Sequence, residues 1–454
     1  MEIPERSFEF PAARVGAATI LLAALTGCGG SPVAAGSTVP AILFSPIAST
    51  SAFLMTLDGQ ELHEWKTDYA PGYSVYLLPN GNLLRATSIP DRPFSTVQGS
   101  NGGRAEMLDW NSQVVWRFDY ATTAGQQHHD VFWMPGSGHV LMIAWERRTA
   151  AEAVAAGRDA QTLPSEGELW VDKVVEVDPV SSQVVWEWRT WDHLLPPGAV
   201  ASEHPELVDP GFAATPSVDW THANAVFYNA ALDQVLLSVR NFSEFWIIDH
   251  GTTTQQAAGH TGGKLGRGGD LLYRYGNPRA YGLDVTQQLY GQHNAQWIAS
   301  GLPGAGHFLV FNNGDAKARP YSTVVELVPP VRDDGSYVYD PATGYGPAGP
   351  VWQYTATPRE SFFAPIISGA QRLASGNTLV TSGPTGHFFE VTSDGQTVWS
   401  YDVTDTAGAT GYMVFRAVRY EPGFEGLSQN LLAPEGLLRI PAVTTGARPT
   451  LSRY

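Results

Sequence analysis

Along most of the chain, apolar and polar residues alternate in short runs separated by Gly, Asn and Asp turns, the signature of half-buried strands joined by tight connections. One pattern recurs within this alternation: a Trp or Tyr after an apolar residue, usually followed two places on by a second aromatic. It occurs as "EWKTDY" at Trp65, "VVWRF" at Trp116, "VVWEW" at Trp186, "LLYRY" at Tyr273, "VWQY" at Trp352 and "VWSY" at Trp399. Most instances lead into a new strand pair around a turn such as "LPNGN" (78–82) or "LASGN" (373–377). Six repeats of four short strands predict an all-β, six-bladed β-propeller. The first strand of the last blade is expected in "YMVFRAVRY" (412–420), with the N-terminal strands "AILFSPI", "AFLMTL" and "LHEWK" completing that blade and closing the ring. Paired β-sandwiches would alternate in the same way, but they would not place one aromatic strand ending in every repeat. Insertions near 146–170, 190–220 and 250–292 interrupt the period.

In an up-and-down blade, the start of strand 1, the turn between strands 2 and 3 and the end of strand 4 all lie on one face. His129 in "HHDVFWM", His222 in "HANAVFY" and His293 in "HNAQWIA" each fall at the start of a first strand, the one nearest the axis. His387 in "SGPTGHFFEV", Arg240 in "LLSVRNFSEF" and the pair Lys317 and Arg319 in "FNNGDAKARPYS" fall at turns between strands 2 and 3. These residues are therefore expected to converge on one funnel. His139 and His307 follow the opposite turns and are expected on the far face, as solvated side chains. His63, His193, His204, His250 and His260 fall in outer strands or insertions, and no chemistry is assigned to them.

Composition narrows the partners. With 27 Lys and Arg against 44 Asp and Glu, the formal charge is −17. A phosphate backbone would be repelled, so no nucleic-acid partner is expected, and an anionic substrate requires a local positive site. Near the N-terminus, Arg6 and Arg14 precede "VGAATILLAALTG", an apolar run too short for a transmembrane helix. It ends in "LTGC", which resembles the lipobox of bacterial lipoproteins. The expected organisation is a signal peptide at 1–27, lipidation at Cys28, a flexible tether over 28–40 and a catalytic propeller over 41–445. Membrane contact is then through the anchor alone, and the protein is expected to be an exported, periplasmic lipoprotein. Cys28 is the single cysteine, so no intrachain disulfide is expected.

Three chemistries are open to histidines gathered around an axis. They could hold a transition metal, but no HExxH-like spacing accompanies them, and carboxylates at the same strand starts are scarce apart from Asp130 and Asp219. They could bind a quinone or other ligand, as a redox or binding propeller would. They could also perform group transfer, one imidazole acting as nucleophile while others and an arginine handle protons and developing negative charge.

The strings "DWTHANAVFY", "GQHNAQWI", "FLVFNNGDAKAR" followed by "YSTVVEL", and "SGAQRLASGNTLVTSGPTGHFFEVTSDGQTVWSYD" closely resemble the bacterial arylsulfotransferases that use no nucleotide sulfate donor. The resemblance runs from about residue 110 to 420. It implies a six-bladed propeller outside the cytoplasm that passes a sulfuryl group from a phenolic sulfate ester to a phenol, with neither metal nor cofactor. It implies His387 as the nucleophile, held as a sulfohistidine in a ping-pong cycle. It further implies His222 and His293 at the sulfuryl oxygens and the phenolic proton; His129, Arg240, Lys317 and Asn224 are expected to contribute to substrate binding. The family's arginine follows an "NG" turn. An ungapped match lands on Lys317, and Arg319, two residues on, is preferred because a planar guanidinium suits paired oxygens. Family members also carry an N-terminal β domain and a disulfide, neither of which is expected here.

Overall fold

A computed structural model describes residues 39–94, 101–213, 217–404, 412–428 and 430. The leader, Cys28 and most of the tether lie outside the described residues. Among the described residues no helix is long and apolar enough to cross a membrane.

Strands β1 (Ala41–Phe44), β2 (Ser51–Thr56) and β3 (Glu61–Lys66) come first. Blade 1 follows as β4 (Pro71–Leu77), β5 (Leu83–Ser88), β6 (Gly103–Leu108) and β7 (Val114–Asp119). Blade 2 is β8 (Gly125–Trp133), β9 (Val140–Thr149), β10 (Glu168–Asp178) and β11 (Gln183–Arg189). Blade 3 is β12 (Ala223–Asn229), β13 (Gln234–Val239), β14 (Glu244–Asp249) and β15 (Tyr273–Tyr275). Blade 4 is β16 (His293–Trp297), β17 (Phe308–Asn312), β18 (Thr323–Leu327) and β21 (Trp352–Thr355), with a small hairpin, β19 (Tyr339–Asp340) and β20 (Gly344–Tyr345), inserted. Blade 5 is β22 (Gly369–Arg372), β23 (Thr378–Ser382), β24 (His387–Val391) and β25 (Thr397–Asp402). The last strand among the described residues, β26 (Val418–Tyr420), pairs antiparallel with β1, so blade 6 has the order β26-β1-β2-β3 and closes the ring. The six-bladed ring and its closure are as the sequence pattern leads one to expect.

The recurrent aromatic has a specific task. Indole N–H groups of outer-strand tryptophans donate to the next blade's turn between strands 3 and 4: Trp65 to Asp109 O (3.1 Å), Trp186 to Thr252 Oγ1 (3.0 Å), Trp352 to Ser393 O (2.8 Å) and Trp399 to Leu57 O (2.8 Å). The same ring buries apolar area and satisfies a polar group across the seam, which fixes how each blade sits on its neighbour. Apolar clusters fill the space between sheets, the largest between blades 2 and 3 around Trp186, Trp188 and Trp246.

The innermost strands share a distortion. Four of them break register near their first residues, between Pro71 and Val75, Gln127 and Val131, Ala223 and Ala225, and His293 and Gln296. Backbones there enter the left-handed region at Tyr73 (φ 110°), His129 (φ 52°), His222 (φ 53°) and Asn294 (φ 53°). Such bulges re-aim side chains and are uncommon for bulky residues without a purpose. Here they turn side chains from adjacent blades towards one another at the axis.

Candidate active site

The axial end of blades 2, 3 and 4 gathers His129, His222 and His293. The His129 ring lies 4.8 Å from that of His222 and 4.7 Å from that of Tyr73, centroid to centroid. Phe415, just before β26, closes the aromatic side at 5.3 Å from Tyr73, 6.0 Å from His129 and 6.5 Å from His293.

Hydrogen-bond partners fix each imidazole's tautomer. His222 donates from Nδ1 to Asp219 Oδ2 (2.6 Å), and that carboxylate also accepts from Trp145 Nε1 (3.0 Å). Asn313 uses its amide N–H groups on the carbonyls of Ala364 (2.7 Å) and Ile367 (2.8 Å), so its Oδ1 is the acceptor for His293 Nδ1 at 2.9 Å. Behind His129 a relay runs inward. Buried Asp172 accepts from His128 Nε2 (2.7 Å), leaving His128 Nδ1 to accept from His129 Nδ1 (2.7 Å). All three axial rings therefore commit Nδ1 and leave Nε2 as a lone pair. Burial first, then neighbouring His222, His128, His293 and Arg240, drives the His129 pKa well below its ordinary value. Burial, followed by Arg240, does the same to His293. Both rings are neutral bases at physiological pH.

Arg240 supplies the positive charge. It stands first in the turn after β13, its backbone N–H donates to His222 O (3.1 Å), and its Nη1 donates to Asn241 Oδ1 (3.1 Å). Its field acts on both His129 and His293. One residue further along the inner strands lies a buried floor. Arg416 pairs with Asp130 Oδ2 (3.1 Å) and with Tyr76 Oη (2.5 Å), and Tyr76 donates to Asp130 Oδ1 (2.8 Å). Removing one partner of so buried an ion pair costs about 3–5 kcal/mol.

The remaining expected residues are not all brought together. Asn224 is buried in the floor, donating to Gln292 O (2.8 Å) across the seam of blades 3 and 4. Lys317 is exposed at its turn, with its backbone N–H on Asp315 Oδ1 (2.9 Å). Arg319 folds back on its own blade, donating to Tyr321 O (2.8 Å) and Thr323 Oγ1 (2.9 Å) with its guanidinium 4.0 Å above the Tyr321 ring. His387 donates from Nδ1 to Asp402 Oδ1 (2.7 Å) and stacks on Phe389 at 5.4 Å, both in blade 5.

The reason lies in the turn between strands 2 and 3. Arg240 is its first residue, as Asn313 is in blade 4, and both positions reach the axial histidines. His387 comes after the turn, opening the third strand and pairing with Ser382, as Glu244 pairs with Val239 in blade 3. At about 4.8 Å per strand that is roughly 10 Å outward from the innermost strand. On the far face, His139 and His307 are hydrogen-bonded to Glu176 (2.6 Å) and Glu326 (2.7 Å) rather than simply solvated.

Sequence reasoning singled out Asp219 and Asp130 but gave them no role, and it missed Tyr73, Asn313, Phe415 and Arg416. The available signal was positional, since Tyr73, Phe415 and Arg416 occupy the same first-strand starts in blades 1 and 6 as the histidines do in blades 2, 3 and 4.

Fold and site together define a six-bladed propeller with a histidine-lined axial centre. Residues 117–412 match the model of the arylsulfotransferase (ASST) family, and the chain belongs to that family. The family's activity is sulfuryl transfer, with aryl sulfates as donors and phenols as acceptors. A search of curated proteins finds no match. Among solved structures, a Bacteroides caccae protein of unknown function is similar at 12% identity and a TM-score of 0.47, over 84% of this chain and 98% of that one. A streptogramin B lyase is similar at 7% identity and a TM-score of 0.40, over 86% and 95%. Neither likeness bears on function.

Proposed function

We propose that this chain moves a sulfuryl group from a phenolic sulfate ester to a phenol through a covalent histidine intermediate, without a nucleotide donor. The observation that carries the reading is the set of three imidazoles from three blades, each with Nδ1 committed and Nε2 free, beside the Arg240 guanidinium. In the first half-reaction an Nε2 lone pair attacks sulfur, an N–S bond forms, the S–O bond to the aryl group breaks, and the aryl oxide leaves as phenolate and takes its proton from solvent. In the second, a phenol oxygen attacks sulfur, its proton passes to a neighbouring base, and the N–S bond breaks. Arg240 faces the non-bridging oxygens, whose charge an acidic protein would otherwise repel.

His222 has the arrangement of the nucleophile: a carboxylate orients its ring and its side chain is 25% exposed, whereas His129 and His293 are almost wholly buried. His129 and His293, as neutral bases, accept the proton of the incoming phenol and release it to solvent. The family resemblance gives the nucleophile's part to His387, whose ring Asp402 orients in the same way. Incubation with nitrophenyl sulfate in the absence of acceptor, followed by peptide mapping, decides between them. Sulfation on the His222 peptide supports the axial assignment, sulfation on the His387 peptide moves the covalent step to blade 5, and a chain that releases nitrophenolate with neither peptide modified has no such intermediate. On the sequence signal, we also propose export and lipid anchoring through Cys28. Fatty-acid labelling lost in Cys28→Ser tests that part.

A further inference from the structure

We propose that His193, His260 and Asp270 form a binding site for a divalent transition metal ion, zinc in the first instance, on the rim between blades 2 and 3. None of the three belongs to the axial centre. His193 follows β11 and is fully buried, while His260 and Asp270 lie in the long connection between β14 and β15. One ligand atom from each lies within 4.8 Å of the other two.

The argument rests on what each atom can donate. His193 Nε2 lies 2.8 Å from Ala257 O. A carbonyl oxygen only accepts, so Nε2 carries the hydrogen, and Nδ1 of the neutral ring is a lone pair. That lone pair points at Asp270 Oδ1, 2.9 Å away. Two acceptors face each other, and a cation must lie between them. A shared proton would account for this contact alone. The same carboxylate oxygen also receives His260 Nδ1 at 2.7 Å, from a side chain that is 59% exposed and could as easily have faced water. Two imidazoles and a carboxylate converging from two insertions, with solvent at the open side for a fourth ligand, match a tetrahedral zinc centre. Such an ion would spread the three atoms to its own bond lengths of about 2.0–2.2 Å, which the exposed His260 can accommodate.

The surroundings support this reading. The bond from His193 to Ala257 O is the outer-shell contact that fixes a metal-binding histidine's tautomer. The ring lies parallel to Trp188 with centroids 5.6 Å apart, and Trp188 Nε1 donates to Gly269 O (2.7 Å). A Cβ on Gly269 would fall 2.0 Å from Ala257 O and 2.6 Å from His193 Nε2, so glycine is what lets the connection press this close. A bound ion would pin the end of blade 2 to the connection that leads into β15.

The test uses untagged full-length protein, dialysed against a chelator and titrated with Zn²⁺ by calorimetry, with Co²⁺ as a spectroscopic probe. The expected results are one ion per chain, a visible cobalt band of tetrahedral intensity, and a rise in Tm on zinc addition. His260→Ala, at an exposed position that folding tolerates, weakens binding by more than about tenfold and removes the Tm shift, and Asp270→Asn does the same. The proposal is overturned if zinc leaves Tm unchanged or if its effect survives in both variants. A Tm that falls with rising pH and ignores zinc identifies the contact as a shared proton, which also overturns it.

Discussion

Buried histidines at the two ends of the propeller shift in opposite directions. On the far face, His250 places Nδ1 2.7 Å from Asp233 Oδ1 and Nε2 2.8 Å from Glu176 Oε2, so both nitrogens donate. Burial works against its charge, but the two carboxylates outweigh burial and raise its pKa. At the axis, His293 is also buried, but its partner is the neutral amide of Asn313 and its neighbour is Arg240, and its pKa falls. Burial alone therefore does not set the state of an imidazole in this fold. Burial sets the direction where no carboxylate opposes it, leaving His129 and His293 as bases, and two carboxylates reverse it at the far-face ring, which serves as a cationic clip.

The comparison is broken most severely at the axis. His222→Ala or His293→Ala should lower phenol-stimulated nitrophenolate release by about 10²–10⁴-fold, whereas His250→Gln should leave turnover at the wild-type level. If both ends respond alike, the division of labour is wrong. Asp219→Asn, which keeps the ring contact but loses the carboxylate, should cost on the order of a hundredfold in kcat with KM little changed.

Acidity separates the two sets further. Because burial depresses the pKa values of His129 and His293, an acid limb of kcat/KM set by either base should lie below about 6.5, the value of an unperturbed histidine. A limb at or above that value would mean that neither His129 nor His293 is the base that sets it. Stability should respond with opposite signs. A raised folded pKa makes the His250 contribution complete below about pH 6.5 and lost as pH rises through the folded value. Urea unfolding of His250→Gln against wild type should accordingly show its largest deficit on the acidic side. The depressed values of His129 and His293 cost stability as pH falls below about 6.5, because the unfolded chain then binds protons that the folded one refuses. The smallest expected effect is at the aromatic wall, where Tyr73→Leu should raise KM for aryl substrates by a few-fold to about tenfold, the worth of one ring contact.

The ring of blades was legible in sequence because the packing device and the turn chemistry repeat: each aromatic strand ending marks a blade, and alternation marks its strands. Convergence of His129, His222, His293 and Arg240 followed from topology alone. What topology could not supply is radial depth. It assigned Arg240 and His387 to the same kind of turn, yet one residue begins the turn and reaches the axis while the other follows it and starts the third strand. Arg319 was chosen for guanidinium geometry, a property of the side chain that says nothing about which partners its own loop offers. Phe415 and Arg416 were overlooked because a search for chemistry looks for histidines, and their blade contributes an aromatic and a cation at the equivalent place.

Those two residues tie the geometry of the centre to closure of the ring. Phe415 walls the histidines and Arg416 anchors the floor through Asp130, and both immediately precede the strand that joins β1. A chain still being made, or one clipped before residue 415, holds its three histidines without the wall or the floor that positions them. Residues from opposite ends of the propeller thus share one centre, and the setting of its histidines depends on the strand that closes the ring.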